Sequence, residues 1–417
     1  MEERNKVKEK MKNLCTRCGY QEVKTPTFEK LKLFKLKSGE EIVEDIYKFE
    51  DKGGRGLALR PELTAPIMRF YSNELKSRTK PIKLFYFSNC FRYEQPQKGR
   101  YREFWQFGTE ILGGKTLEAD AEVISLADSI LRELNLEFDL KIGHLGVIRE
   151  LLKSEDIEED AQDKIMSVMD KEDVEELKTV LNSYGITKEI KNKLIKLFGL
   201  EGEPREILDK AGKILEGNKS VLGRLSDLDK LIDLLDYYGV SDFSLDLGIA
   251  RGLDYYTGIV FEAFVPGLGA QNQVCGGGSY EFPEFVEGGF KSTGFAIGFD
   301  RIMDALEIQG EKIQSRPRSM AYIVPVSEEF REESMKVLRE ARKSFPAEID
   351  LQNRGIGAQL SHINKLEIPY AILIGEEEVK KDKVSLKDMK TGDQDLMELK
   401  DAINKIKSKY KEYDIRY

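Results

Sequence analysis

The stretch from Phe91 to Gln106 (FRYEQPQKGRYREFWQ) sets Arg92, Lys98, Arg100 and Arg102 around a turn and interleaves them with aromatic rings. A hairpin of this kind can hold its cations over a polyphosphate. Each guanidinium offers two parallel hydrogen bonds to phosphate oxygens, and a ring such as Phe104 can stack on a base. The same composition also suits a solvated hairpin whose charges prevent edge pairing. On the returning arm Gln106 and Glu110 are an even number of residues apart, so in a strand they face the same side.

Four further segments carry chemistry. Leu59-Arg60-Pro61-Glu62-Leu63-Thr64 follows a Gly-rich turn and puts a carboxylate beside a hydroxyl, a receptor for an ammonium group or an ordinary structural turn. Arg251-Gly252-Leu253-Asp254-Tyr255-Tyr256-Thr257-Gly258 places a cation on a Gly-flanked turn ahead of a strand, with two tyrosines behind it. Gly276-Gly277-Gly278 lets a substrate approach strand backbone, or marks a bulge or tight packing. Gly294 to Ile302 is an apolar strand running into a helix whose first turn carries Arg301. Only His144 and His362 are present, apart from any Ser, Cys or metal-ligand cluster, so catalysis by histidine acid–base chemistry is not expected.

The elements that must position these residues follow from periodicity. A charged amphipathic helix runs to Cys18, and Tyr20 to Thr25 reads as a strand closed by Pro26. Leu57 to Leu59 is strand-like. Ile82 to Phe91 and Phe104 to Leu112 form two β-rich arms around the polar loop Tyr93 to Arg102, the pattern of an antiparallel hairpin. Ala119 to Asn135 is helical, and from Leu145 to Tyr238 consecutive Leu-, Lys- and Glu-rich helices look like an inserted domain. Strand signals return at Phe243 to Gly248, Val260 to Phe264 and Gln273 to Gly277, and a helix starts near Gly298. Beyond the polar link Gln309 to Arg318 a compact alternation begins: strand Met320 to Val324, helix Glu328 to Lys343, strand Glu348 to Leu351, helix Gly357 to Leu366, strand Tyr370 to Ile374. That order implies a separate α/β domain.

At 417 residues the chain exceeds one ordinary core of about 100–200 residues. Its 40% hydrophobic and 34% charged residues suit a soluble globular protein. No apolar run approaches the ~20 residues of a membrane span, and no signal core opens the chain, so a cytoplasmic location without membrane contact is expected. Four cysteines fit a reducing compartment, and Cys15-x-x-Cys18 has no second pair at zinc-like spacing. The net charge of −9 argues against a protein that coats nucleic acid everywhere and leaves room for a local basic patch; Lys381, Lys383, Lys387 and Lys390 could form one, or an ordinary solvated face.

The Phe91 to Gln106 stretch resembles motif 2 of class II aminoacyl-tRNA synthetases, and its Pro-Gln-Lys-Gly-Arg-Tyr-Arg loop looks like that of histidyl-tRNA synthetases. Arg251 to Tyr256 matches a signature of that family and its close paralogues, Gly294 to Ile302 resembles motif 3, and Gly19 to Pro26 resembles motif 1. The resemblance implies an α/β fold with an α+β catalytic domain: a class II antiparallel sheet with flanking helices over 1–145 and 239–310, a helical insertion over 146–238, and an anticodon-binding domain with a mixed sheet over 319–417. It implies a ligase that takes ATP with Mg²⁺, L-histidine and tRNA(His), works as a homodimer, binds no DNA and uses no direct protein ligands to a metal. The roles it carries are Arg92 on the α-phosphate, Glu94 and Phe104 on adenine, Arg301 on the γ-phosphate, and Arg100 or Arg102 on the outer phosphates or tRNA. It places Gln97, Lys98 and Arg102 at the tRNA acceptor end. It assigns the ammonium group to Glu62 and Thr64, gives Gln106, Glu110, Tyr255 and Tyr256 to the amino acid, and makes Arg92, Arg251 and Arg301 the catalytic cations, with Arg92 and Arg251 also touching histidine. Many members have Gly-Gly-Arg-Tyr-Asp where this chain has Gly277-Gly278-Ser279-Tyr280-Glu281, so the role of that Arg does not carry over. The rival is the regulatory paralogue of ATP phosphoribosyltransferase, which shares the core and typically lacks the anticodon domain.

Overall fold

The structure, a computed structural model, describes residues 1–35, 45–94, 101–114, 116–170, 173–249, 256–269, 272–282, 290–311 and 317–415. Its chain divides into a unit of Glu3–Ile313 and a unit of Gln314–Tyr417. In the first unit the strands run β1 (Gln21–Glu22), β2 (Phe28–Lys30), β3 (Lys48–Glu50), β4 (Gly56–Leu59), β5 (Ile82–Phe91), β6 (Glu103–Leu112), β7 (Asp139–His144), β8 (Glu201–Gly202), β9 (Ser244–Asp246), β10 (Tyr256–Phe264), β11 (Gln273–Tyr280) and β12 (Ser292–Gly298).

Nine of them form one sheet in the order β1-β5-β6-β12-β11-β10-β7-β9-β8, and β2-β4-β3 form a small separate sheet. The expected antiparallel sheet is antiparallel through its middle, but β1 runs parallel to β5 and β7 parallel to β9, so the sheet is mixed. The strand expected over Tyr20 to Thr25 shortens to β1, two residues with exposed side chains. The hairpin forms as read, with β5 and β6 ten residues each and in register from Ile82 opposite Leu112 to Phe91 opposite Glu103.

Helix Leu117–Glu133 buries Ala121, Val123, Ile124, Ala127, Ile130 and Leu131 and lies across β6, β11 and β12. Because strand side chains alternate, residues of β6, β11 and β12 that point away from this helix form the floor of the opposite face.

Between β7 and β9 the chain is mainly helical, and several helices start on a side chain that accepts from their free N–H groups: Asp173, Thr187, Glu203 and Asn218. Such caps contribute ~1 kcal/mol each. His144 does the same for helix Leu145–Lys153, its Nδ1 accepting from the Gly146 N–H at 3.0 Å. The apolar stripes of these helices, including Leu152, Leu194 and Leu228, join the same buried cluster as Ile142 and Phe261 of the sheet. No helix among the described residues is long and apolar enough to cross a membrane.

In the second unit, β13 (Ala321–Pro325), β14 (Ala347–Ile349), β15 (Tyr370–Ile374), β16 (Val384–Asp388) and β17 (Gln394–Met397) form a sheet in the order β14-β13-β15-β16-β17. The first three are parallel and the last two antiparallel. Strand β13 is buried on both faces: Ala321 and Ile323 join one apolar cluster, Tyr322 and Val324 another. The expected helix Glu328 to Lys343 starts as a 3₁₀ turn, Glu328–Phe330, and becomes α-helical over Arg331–Ala341. Strands β16 and β17 and the helix Leu399–Ile415 are additions to the sequence reading.

One buried side chain ties the first unit together. Arg60, 1% exposed, donates from Nε to the Asn89 carbonyl (2.8 Å), from Nη1 to the carbonyls of Thr25 (2.8 Å) and Pro26 (3.1 Å), and from Nη2 to Asn89 Oδ1 (2.8 Å). Arg60→Leu leaves these buried acceptors bare, and each such loss costs about 1–3 kcal/mol. The variant is expected to unfold at clearly lower urea concentration, by roughly 3 kcal/mol or more. An unchanged urea midpoint for the first unit would contradict this assignment.

Candidate functional site

The free face of β5, β6, β12 and β11 carries two adjoining hollows. The first is lined by Glu62, Thr64, Tyr86, Glu110, Tyr256 and Tyr280 over a floor that includes Gly294. The second is lined by Arg92, Glu94, Tyr101, Phe104, Asp300 and Arg301, with Gln273 to Gly276 of β11 along one side. Arg92, Gln106, Gly276 and Ala296 belong to both and form their common wall.

In the first hollow, Glu110 on β6 is 1% exposed and accepts the Thr64 hydroxyl at Oε1 (2.9 Å) and the Tyr280 hydroxyl at Oε2 (2.7 Å). Glu62 is 4% exposed and turns back on its own loop, accepting the N–H groups of Thr64 (2.5 Å) and Ala65 (3.2 Å) at the start of helix Thr64–Phe70. The floor is small because it must be. A Cβ on Gly294 would stand 2.0 Å from Glu110 Oε2, and one on Gly108 would stand 2.3 Å from the Tyr86 hydroxyl.

Burial pushes the Glu62 carboxyl up to about 7, against the pull of the Ala65 and Thr64 N–H groups and the Arg92 guanidinium. Burial pushes Glu110 up to about 8, opposed by the Tyr280 and Thr64 hydroxyls and reinforced by the nearby Glu62 charge. A cation entering this hollow therefore meets two carboxyls that ionise readily once it arrives. Beside them, burial raises the Cys90 thiol to about 12, so it stays protonated and donates to Gln106 Oε1 at 3.3 Å, fixing the orientation of that amide.

In the second hollow, Arg92 donates from Nε to the Pro61 carbonyl (3.0 Å) and its guanidinium lies 5.3 Å from the centre of the Phe104 ring. Arg301 sits in the first turn of helix Phe299–Gln309 and donates from Nη1 to the Gln273 carbonyl (2.7 Å). Its neighbour Asp300 accepts the Trp105 N–H (2.7 Å) and pairs with Arg4 (2.7 Å), which ties the start of this helix to β6 and to helix Glu2–Arg17. Two guanidiniums beside a ring suit a polyphosphate joined to a planar base.

The structure thus gathers Glu62, Thr64, Gln106, Glu110 and Tyr256 at the first hollow and Arg92, Glu94, Phe104 and Arg301 at the second. Arg102 lines neither; it stacks 4.3 Å over the Tyr93 ring and donates to the Glu94 carbonyl (3.2 Å). Gln97, Lys98, Arg100, Arg251 and Tyr255 lie outside the described residues. In the second unit, Lys381 pairs with Glu377 at 2.6 Å. Sequence reasoning missed Tyr86 and Gly108, and gave Tyr280 and Gly294 no role of their own. Tyr280 had a signal, since it continues the alternation of Gly276 and Gly278 onto the same face.

A histidyl-tRNA synthetase family model matches residues 1–302, and an anticodon-binding domain model matches residues 320–409. The chain belongs to the histidyl-tRNA synthetase family. It is 47% identical over 408 residues to a histidine–tRNA ligase of Methanosarcina acetivorans, covering 97% of this chain and 94% of that one. Against the Archaeoglobus fulgidus histidine–tRNA ligase the identity is 46%, over 94% of this chain and 93% of that one. Among solved structures, a histidyl-tRNA synthetase from Nostoc superposes with a TM-score of 0.80 at 25% identity, covering 97% of this chain and 95% of that one. A Bacillus halodurans protein described as an ATP phosphoribosyltransferase regulatory subunit/histidyl-tRNA synthetase superposes with a TM-score of 0.72 at 27% identity, covering 86% and 92%.

The buried carboxyls of this family member set a pH dependence. A carboxyl whose pKa is higher folded than unfolded keeps its proton longer in the native state, so the native state binds more protons between the two values. Stability of the free protein is then expected to fall as pH rises from the ordinary carboxyl range through about 7 and 8. Glu110→Gln should flatten that decline in urea midpoints measured from pH 5 to pH 9. A variant with the same slope as the parent would show that Glu110 does not carry it.

Proposed function

We propose that this chain is an ATP-dependent, AMP-forming ligase that activates L-histidine and transfers it to the 3′ end of tRNA(His). The observation that carries the reading is the pair of hollows with a common wall, one lined by buried carboxyls and hydroxyls, the other by guanidiniums and a ring. That pairing matches an amino acid placed next to a nucleoside triphosphate.

In this reading ATP, as its Mg²⁺ complex, lies in the second hollow: Phe104 and Glu94 hold the adenine, Arg92 the α-phosphate and Arg301 the γ-phosphate. Glu62, with Thr64 beside it, takes the ammonium group. Glu110, Gln106 and Tyr256 take the imidazole; each Glu110 oxygen has one lone pair committed to a hydroxyl and a second to offer. The histidine carboxylate is already ionised at neutral pH and attacks the α-phosphorus in line, forming the P–O bond as the bond to pyrophosphate breaks. No protein base is needed. Arg92, Arg251 and Arg301 stabilise the charge that spreads over the phosphate oxygens. A hydroxyl at the tRNA end then attacks the activated carbonyl and AMP leaves.

The further assignments belong to the same proposal. Residues 1–145 and 239–310 form the catalytic part, 146–238 an inserted helical part, and 319–417 the part that reads the anticodon. Tyr255 joins the histidine contacts, Arg100 the outer phosphates, and Gln97, Lys98 and Arg102 the acceptor end. The chain works in the cytoplasm as a homodimer. The regulatory paralogue of ATP phosphoribosyltransferase is less favoured, because the anticodon-binding domain match at 320–409 and the relatives named histidine–tRNA ligase support the ligase.

The test is pyrophosphate exchange with each amino acid in turn, followed by charging of tRNA. Exchange is expected with histidine alone, and its absence would overturn the ligase reading. Arg251→Ala is expected to slow histidine-dependent exchange by ~10²–10³, the effect of losing one preorganised electrostatic donor.

A further inference from the structure

Behind the amino-acid hollow, on the opposite face of the sheet, lies a buried polar chain that the ligase chemistry does not use directly. Asp120, 1% exposed, sits in the first turn of helix Leu117–Glu133. Its Oδ1 accepts the hydroxyl of Ser279 (2.7 Å), itself fully buried on β11. Its Oδ2 is 2.6 Å from the Lys291 ammonium. One carboxylate therefore holds two neighbouring strands, β11 through Ser279 and β12 through Lys291, the residue just before that strand begins.

Both attachments lie next to the groups that surround Glu110. Ser279 adjoins Tyr280, whose side chain points to the other face and donates to Glu110 Oε2 at 2.7 Å. Lys291 adjoins Ser292, which is paired across the sheet with Tyr280, and two residues further on Gly294 lies opposite Glu110 with no room for a Cβ. The front-face contacts of Glu110 thus rest on strands pinned from behind at one point. Removing the pin frees the Tyr280 segment to shift, and shifts well below an ångström matter to a hydrogen bond of this length.

We infer that Lys291, Asp120 and Ser279 act as positioning residues for the amino-acid hollow, holding Tyr280 and Gly294 against Glu110 so that the imidazole meets a fixed acceptor. This accounts for the neutral residue at position 279: with Lys291 already pairing the buried carboxylate, a hydroxyl completes its hydrogen bonding. A second cation there would put like charges around one carboxylate, whereas the observed set is balanced.

The inference rests on the proposed activation of histidine, and the experiment separates the two. Histidine-dependent pyrophosphate exchange is measured for the parent and for Ser279→Ala, Lys291→Met and Asp120→Asn, with KM determined separately for histidine and ATP. Thermal midpoints are recorded alongside. Expected is a rise in the histidine KM of about tenfold in Ser279→Ala, the value of one lost hydrogen bond at ~1 kcal/mol or somewhat more, with the ATP KM unchanged within about twofold. The effects of Ser279→Ala and Asp120→Asn should be non-additive in the double variant, because both weaken the single attachment point that the Asp120 side chain provides. A parent that exchanges with histidine while Ser279→Ala and Lys291→Met keep its histidine KM overturns the positioning role, even if both melt earlier. Equal rises in both KM values overturn it too, since they indicate a general loosening. A parent that shows no exchange with histidine instead overturns the function on which the inference stands; titration calorimetry of histidine into the same variants then reads the positioning effect without the reaction.

Discussion

The Arg60 guanidinium is buried among main-chain carbonyls and the Asn89 amide, and both hollows depend on it. A charge in that position must be fully hydrogen-bonded, because desolvation alone opposes it and pulls its pKa down. The requirement fixes three segments at once: the chain after β1 at Thr25 and Pro26, the end of β5 at Asn89, and the loop that continues to Glu62. The Phe91 N–H then closes on the Arg60 carbonyl at 2.9 Å, and Arg92 reaches back to Pro61. The loop that carries Glu62 and the strand end that carries Arg92 are thereby one rigid piece.

Electrostatics divides the site more sharply than shape does. On one side of the wall made by Arg92, Gln106, Gly276 and Ala296, two buried carboxyls compete for desolvated space, and both hold protons more tightly than usual. On the other, Arg92 and Arg301 point their charge into a polar, ring-lined space. Arg92 lowers the Glu62 pKa as well, so it acts on both sides. Such a field suits a zwitterion whose ammonium end lies toward the carboxyls and whose carboxylate end lies toward the guanidiniums.

The hairpin β5–β6 was legible because long apolar alternation flanks an unmistakable turn, and local pattern and tertiary role agree there. The C-terminal αβ alternation was legible for the same reason up to β15. What followed was not: Lys387 and Asp388 end β16, and Gln394 and Asp395 open the edge strand β17, where polar residues protect against further pairing, so the period-2 signal is erased. The parallel placement of β1 and β9 was also hidden, since two- and three-residue strands owe their direction to long-range packing. In the site, charged residues announced themselves by type, while the roles of Gly108, Gly294 and Ser279 were not legible. Their importance lies in what a larger side chain would strike or what a hydroxyl reaches across the sheet, and neither is visible along one strand.

The common wall between the hollows has a consequence for chemical inhibition. A molecule that fills both spaces gives up its translational and rotational freedom once, while the two fragments separately give it up twice. On the proposed placement of histidine and ATP, a stable, uncharged-linker mimic joining an imidazole-bearing amine to an adenosine is therefore favoured over either half by far more than the contacts of the linker. Because Gly294 on the floor of the first hollow has no room for a Cβ, which would strike Glu110 Oε2 and the Thr109 carbonyl, an escape mutation that enlarges this residue collides with the protein before it reaches the inhibitor. Resistance by crowding is thus closed off at that part of the floor.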